Sequence, residues 1–325
     1  MRLQWLSAAT GLLLAAGAAA QAQEAFTPTQ PVDVVVHTGA GGGTDAFARA
    51  MITAMEKDGL LPETFTVINK QGGGSTSAMN YLQEKAGDAH TIAVFSSVWI
   101  TDTLVQKEAT VTIDQLTPIA RLVLEPGLVV VAADSPYQTM QDFVDAAKAS
   151  PGTLKQSGGS VYSRDAVVRY VLMNETGGDW SFVSFPSGGE RVSAVLGGHV
   201  DMMIIEAAEA GELIRGGKLR ALAQVSDERI EGFPDVPTLK EAGFDIPNVP
   251  QARGIVGPPD MPAEAAQYYS DLFRKVSESP SYQEYLNTTQ NENAFLGADE
   301  LGTFLGEYTN TLRDILTSAN VEVVR

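Results

Sequence analysis

Val32-Asp33-Val34-Val35-Val36-His37-Thr38-Gly39-Ala40-Gly41-Gly42-Gly43-Thr44-Asp45-Ala46-Phe47-Ala48-Arg49 is the stretch from which the rest of the chain is read. Val32 to Val36 is a short β-branched run with the length and composition of a buried strand. Glycines at 39, 41, 42 and 43 end it. From Thr44 the apolar residues Phe47, Ala50, Met51, Ala54 and Met55 share one face of a 3.6-residue helix, and Thr44 before Asp45 suits an N-terminal cap. Glycine between a strand and a helix lets backbone N–H groups approach a ligand at the positive end of the helix dipole. An anion can then bind with no Lys or Arg in the loop.

Outward from this stretch the unit repeats. Phe65 to Ile68 leads into Gly72-Gly73-Gly74-Ser75-Thr76 and a helix through Met79 and Leu82; Thr91 to Phe95 leads into Ser96-Ser97. Gly158-Gly159-Ser160 precedes a helix carrying Val167, Val168 and Val171, and Phe182 to Phe185 leads into Ser187-Gly188-Gly189-Glu190. Leu128 to Ala132, Val200 to Ile205 and Leu219 to Val225 read as further strands, and the last ~60 residues as helical. Alternating strands and helices predict an α/β fold with mostly parallel sheets. The break near Leu128 and the Pro-rich stretch from Pro234 to Pro262 divide it into two lobes: a discontinuous one over 23–124 and 228–325, and a continuous one over 125–227. In such sheets the loops at the carboxyl ends of the strands gather where ligands bind.

The start of the chain bears on its compartment. Arg2 precedes a short apolar run from Leu6 to Ala20, and Ala20-Gln21-Ala22 offers small residues for cleavage near Ala22, the pattern of a signal peptide over 1–22. The run is too short for a transmembrane span. Cysteine is absent, which removes disulfides, thiolate metal sites and a cysteine nucleophile. A net charge of −18 argues against nucleic acid and anionic membrane surfaces as partners. It leaves room for an anionic ligand in a locally positive cleft.

Enzyme readings find little support. Thr44 stands where a dinucleotide fingerprint needs its third glycine, and no loop has the Gly-Lys-Ser/Thr of a P-loop. His37, His90 and His199 lack metal spacing, and no Ser lies in G-x-S-x-G. No catalytic residue, metal or cofactor is expected.

The motifs taken in order resemble the periplasmic receptors of the tripartite tricarboxylate transporter family. They are H-T-G-A-G-G-G-T-D-A-F-A-R from His37, N-K-Q-G-G-G-S from Asn69, T-P-I-A-R-L from Thr117, F-P-S-G-G-E from Phe185, L-G-G-H-V-D from Leu196 and D-V-P-T-L-K-E-A-G from Asp235. The resemblance covers nearly the whole chain after the leader. It implies a type II periplasmic-binding fold whose two α/β lobes close on a ligand by hinge bending. It implies a monomer in the periplasm that captures a small organic carboxylate, a di- or tricarboxylate first and an amino acid or aromatic acid second. The ligand would pass to cognate integral-membrane transporter subunits; signalling to a membrane kinase is the alternative outlet.

The positions matching the family's binding loops are Thr38, Gly39, Gly42, Gly43, Thr44 and Asp45; Gly74 and Ser75; Ser96 and Ser97; Gly159, Ser160, Tyr162 and Ser163; and Ser187, Gly188 and Gly189. Arg253 is added either as a bidentate partner for a carboxylate or as half of a structural ion pair. Glu206 stands where the family often has Asn, and either enters the cleft or points away from it. Tyr162 is either an aromatic wall or a rim residue. Ala40 replaces a usual proline, and Ala166 a histidine. Asp165 is expected to cap its helix.

Overall fold

A computed structural model describes residues 26–185 and 187–325; the leader expected over 1–22 lies outside them. The first β-branched run is a strand, β1 (Val32–Val36), flanked by two parallel neighbours, β2 (Phe65–Asn69) and β3 (Thr91–Ser96). Helices α1 (Gly43–Lys57), α2 (Thr76–Glu84) and α3 (Val98–Val105) follow these strands in turn. In α1 the buried apolar positions are Phe47, Ala48, Met51, Ala54 and Met55, so the expected face holds apart from Ala48 in place of Ala50. β4 (Thr117–Glu125) completes the first pass through this sheet.

Only Pro126 separates β4 from β5 (Gly127–Ala132), which lies in a second sheet. There α4 (Met140–Ala149), β6 (Lys155–Gly158), α5 (Arg164–Thr176), β7 (Ser181–Ser184), α6 (Gly188–Leu196), β8 (Met202–Glu206), α7 (Ala207–Arg215) and β9 (Leu219–Val225) follow. The chain returns to the first sheet as β10 (Gln251–Gly257), then runs through α8 (Ala263–Glu278), α9 (Pro280–Thr289), β11 (Glu292–Leu296) and α10 (Ala298–Ser318). The sheet orders are β11-β4-β10-β3-β1-β2 and β7-β6-β8-β5-β9. The two-lobed α/β architecture is the one the glycine-loop repeat implied.

In each sheet four strands run the same way, as expected, and the exceptions are strands placed by tertiary contacts: β10 is antiparallel to β3 and β4, β11 to β4, and β5 to β8 and β9. For β5 and β10 the cause is the double crossing. A strand that enters a lobe from the hinge starts beside the ends of the strands that finish there, so it runs against them. β11 was missed, because it lies within a stretch read as helical. Its five residues are held by pairing with β4, a tertiary contact that local pattern does not report.

The cap expected at Thr44 is also corrected. α1 begins at Gly43 with Gly42 as N-cap, which puts Thr44 inside the first turn; the Asp45 N–H instead donates to Thr38 Oγ1 at 3.1 Å. Among the described residues no helix is long and apolar enough to cross a membrane.

Candidate functional site

A cavity of about 390 Å³ lies between the sheets, at the carboxyl ends of β1, β2, β3, β6, β7 and β8, within the size range of small-molecule sites. From the first lobe it is lined by Thr38, Gly39, Gly42, Gly43 and Thr44, by Gly74, and by Ser96 and Arg253. From the second it receives Gly159, Ser160, Ser163, Ser187, Gly188 and Glu206. Asp45, Ser75, Ser97, Tyr162 and Gly189 stand outside this lining.

Most of those outside have structural work. Asp45 turns back on its own loop: it accepts from the Gly41 N–H at 2.8 Å and from Asn69 Nδ2 at 3.0 Å, and pairs with Arg49 at 2.9 Å. Burial works against its ionisation, but the Arg49 guanidinium and these donors outweigh it and hold the carboxyl below its usual range. The loop it braces bends through Gly41 at φ +79°, a left-handed conformation that suits glycine. Ser97 Oγ accepts from the Ala252 N–H at 3.0 Å and donates to the Pro250 carbonyl at 3.2 Å, tying β3 to β10. Tyr162 is half-buried.

The second loop shows a different device. Asp102, fully buried, accepts from Ser75 N–H at 2.8 Å and Ser75 Oγ at 3.0 Å, and its carboxylate sits where a Cβ on Gly74 would lie. Burial pushes this carboxyl up to about 6, with the Ser75 donors opposing. A carboxyl raised in the folded state contributes stability that is full below about pH 4 and is lost as pH rises through about 6. Asp102→Asn keeps an acceptor for Ser75 and should remove this dependence. Urea unfolding should therefore show the variant gaining on the wild type at pH 8 but not at pH 4. An equal difference at both pH values would refute the assignment.

Helices α1 and α5 begin without a side-chain bond from their N-cap residues, which leaves N–H groups of their first turns for a ligand, although the Asp45 N–H of α1 is taken by Thr38; in α2 the Thr76 and Ser77 N–H groups donate to the Gly73 and Gly72 carbonyls. Asp165, expected to cap α5, instead accepts from the Gly159 N–H at 3.0 Å and from Ser163 Oγ, and so shapes the preceding loop. Burial raises its carboxyl, with Arg191 opposing. α6 is capped by Ser187, which accepts from the Glu190 N–H at 3.3 Å.

Beneath the loops lies an ionic layer that sequence reading met only in part. Arg253 Nε donates to Glu125 Oε2 at 2.7 Å and its Nη1 to Thr44 Oγ1 at 2.7 Å, so the ion-pair alternative holds for this residue while its guanidinium still lines the cavity. Its Nη2 lies 3.0 Å from where a Gly43 Cβ would stand. Glu206 enters the cleft and pairs with Arg164 Nη2 at 3.2 Å. Burial would raise its carboxyl, but Arg164, Arg191 and Arg253 together hold it down to about 2. His37 Nδ1 accepts from Trp99 Nε1 at 2.9 Å, and burial with Arg253 nearby lowers its imidazole to about 3, so it is neutral.

Arg191 and Glu209 line the cavity as well, as do Gln71 and Gln251, and sequence reading passed over all four. The signal lay in spacing: β8 runs into α7 with no intervening loop, so Glu206 and Glu209 sit one helical turn apart on one face. Among the described residues there is no metal-ligand cluster.

The model of the family described as tripartite tricarboxylate transporter family receptor matches residues 47–321. The Cupriavidus necator protein named UPF0065 protein in gbd 5' region is 31% identical over 303 residues, covering 93% of this chain and 91% of its own. Two solved structures share the fold. MatC of Rhodopseudomonas palustris with bound malate has a TM-score of 0.80 at 23% identity, covering 89% of this chain and 100% of its own. An R. palustris protein with adipate has a TM-score of 0.84 at 20% identity, covering 90% and 98%.

Proposed function

This chain belongs to the tripartite tricarboxylate transporter receptor family, and from that premise we propose that it captures a small organic carboxylate in the interlobe cleft and delivers it to a membrane permease. The family is one of solute-binding receptors rather than enzymes. The observation that carries the reading is the convergence of helix starts from both lobes on one cavity of about 390 Å³ with Arg253 at its floor. A carboxylate at Gly43 and Thr44 would accept backbone N–H groups at the positive end of α1, and loop 159–163 would meet it from the other lobe. The malate and adipate held by proteins of the same fold support an organic acid as the ligand class.

Closure would swing the lobes about the two chain crossings, at Glu125–Gly127 and between β9 and β10, with the ligand bridging them. Export by the leader over 1–22 and residence in the periplasm are part of the same proposal, as is the division into lobes at 125–227. A thermal-shift screen across di- and tricarboxylates, amino acids and aromatic acids tests it. A true ligand at 100 times its Kd should add about 2.7 kcal/mol of stability. Failure of every acid to stabilise the folded protein would count decisively against the proposal.

A further inference from the structure

We infer that Glu209 selects the ligand by charge: the cleft takes a carboxylate that also carries an ammonium group, a small amino acid, in preference to a plain di- or tricarboxylate. This rests on the reading of the cleft as a carboxylate site and narrows it.

Three guanidinium groups, Arg164, Arg191 and Arg253, face four carboxylates, Glu125, Asp165, Glu206 and Glu209, in and directly beneath the cavity. One negative charge is left over. The side-chain exposures say where: 5% for Glu125, 6% for Asp165, 11% for Glu206 and 28% for Glu209. Glu209 is also the least well matched. Arg191 Nη2 lies 3.8 Å from Glu206 Oε2 and 3.6 Å from Glu209 Oε2, so one edge of one guanidinium is divided between two carboxylates at beyond hydrogen-bond length. The other two arginines are engaged with Glu125, Thr44 and Glu206.

Position gives this surplus charge its effect. Glu209 Oε2 packs onto Gly188, in the space a Cβ would fill, and Oε1 lies 3.4 Å from where a Cβ on Gly43 would stand. The carboxylate therefore spans the aperture from the first turn of α6 to the first turn of α1, beside the N–H groups proposed for the ligand's carboxylate. A ligand acid seated there meets a second negative charge at short range, and a further carboxylate on the ligand adds to the repulsion. An ammonium group one or a few carbons from the seated carboxylate turns the same contact into a charge-assisted hydrogen bond. Gly188 matters because any side chain there would evict the Glu209 carboxylate.

Protonation follows from the same arrangement. Burial, with Glu206 (β8) beside it, pushes the Glu209 carboxyl up to about 7, against the pull of Arg191 (α6) and Arg253 (β10). Arg164 and Asp165 (α5) and Glu125 (β4) stand behind these groups. A bound ammonium favours the carboxylate and expels the proton, so affinity for an amino acid should rise about tenfold from pH 6 to pH 8. A plain acid should show no such rise.

The test is calorimetric titration of the full chain with matched pairs: L-aspartate against succinate, L-glutamate against glutarate, and 4-aminobutyrate against butyrate. The wild type should bind the aminated member of at least one pair tenfold or more tightly. In Glu209→Gln that gap should shrink to under threefold, with the plain acid gaining. Gly188→Ala, which displaces the carboxylate without removing it, should shrink the gap as well, while Glu212→Gln, on an exposed position of the same helix, should leave it intact. Equal binding of plain and aminated acids by the wild type overturns the inference and leaves the carboxylate reading standing. So does a gap that survives Glu209→Gln. Binding of neither member of any pair overturns the inference, and the carboxylate reading falls with it only if every acid of the wider screen fails as well.

Discussion

Replacing Arg253 by leucine should lower folding stability by about 3–5 kcal/mol, measured by urea unfolding, and should weaken binding of whatever acid the screen identifies. The side chain is 5% exposed and its partner Glu125 is 5% exposed, so removal of the guanidinium leaves a carboxylate buried with no cation at contact. Asn291 Nδ2, at 3.5 Å, is too weak a donor to replace it. Burial already pushes the Glu125 carboxyl up, with Arg253 the chief opposing influence, so loss of the guanidinium should push it up further. The double variant Arg253→Leu with Glu125→Leu separates the two losses. It removes the orphaned charge and should recover most of the stability, because buried ion pairs are often matched by apolar residues of similar size. It should not recover binding. Full stability in the single variant would show that the pair is not buried in the working protein.

The neighbouring residue gives the second large effect, by a different mechanism. A Cβ on Gly254 would meet the Ala120 carbonyl oxygen, Phe95 Cε1 at 2.6 Å and the Arg121 Cα at 2.8 Å. Two of those atoms belong to the backbone of β4 and cannot turn aside. β10 also shifts register against β4 between Arg253 and Gly254, so the irregularity that aims Arg253 depends on close strand approach. Gly254→Ala should therefore cost about 3 kcal/mol and misplace Arg253. Gly189→Ala is the contrast, since nothing lies within 4 Å of its would-be Cβ. As a first-turn helical position it should be neutral, or gain a few tenths of a kcal/mol from helix propensity. Equal losses at both positions would mean that flexibility, not close packing, explains the glycines.

The loops of the cleft were legible because glycine runs after β-branched strands have a local physical cause. Fourteen of the nineteen residues named from sequence line the cavity. The ionic layer was less legible. Arg253 and Glu206 were named with their roles open, and Arg191 and Glu209 were passed over, because a charged helix residue looks the same in sequence whether it faces solvent or a partner 15 or more residues away. Asp165 and Thr44 were assigned as caps by local rule, and both had been drawn instead into contacts with loop 159–163 or with Arg253.

By itself the sequence determined the alternation of strands and helices, the two-lobe plan and the glycine-lined helix starts, all of which follow from periodicity and backbone freedom over fewer than 20 residues. Only the tertiary structure decided the direction of β5 and β10, the existence of β11, and the sharing of Arg191 between two glutamates. Those depend on which distant segments are brought within a few ångströms, where low dielectric makes one surplus carboxylate enough to set what the cleft will accept.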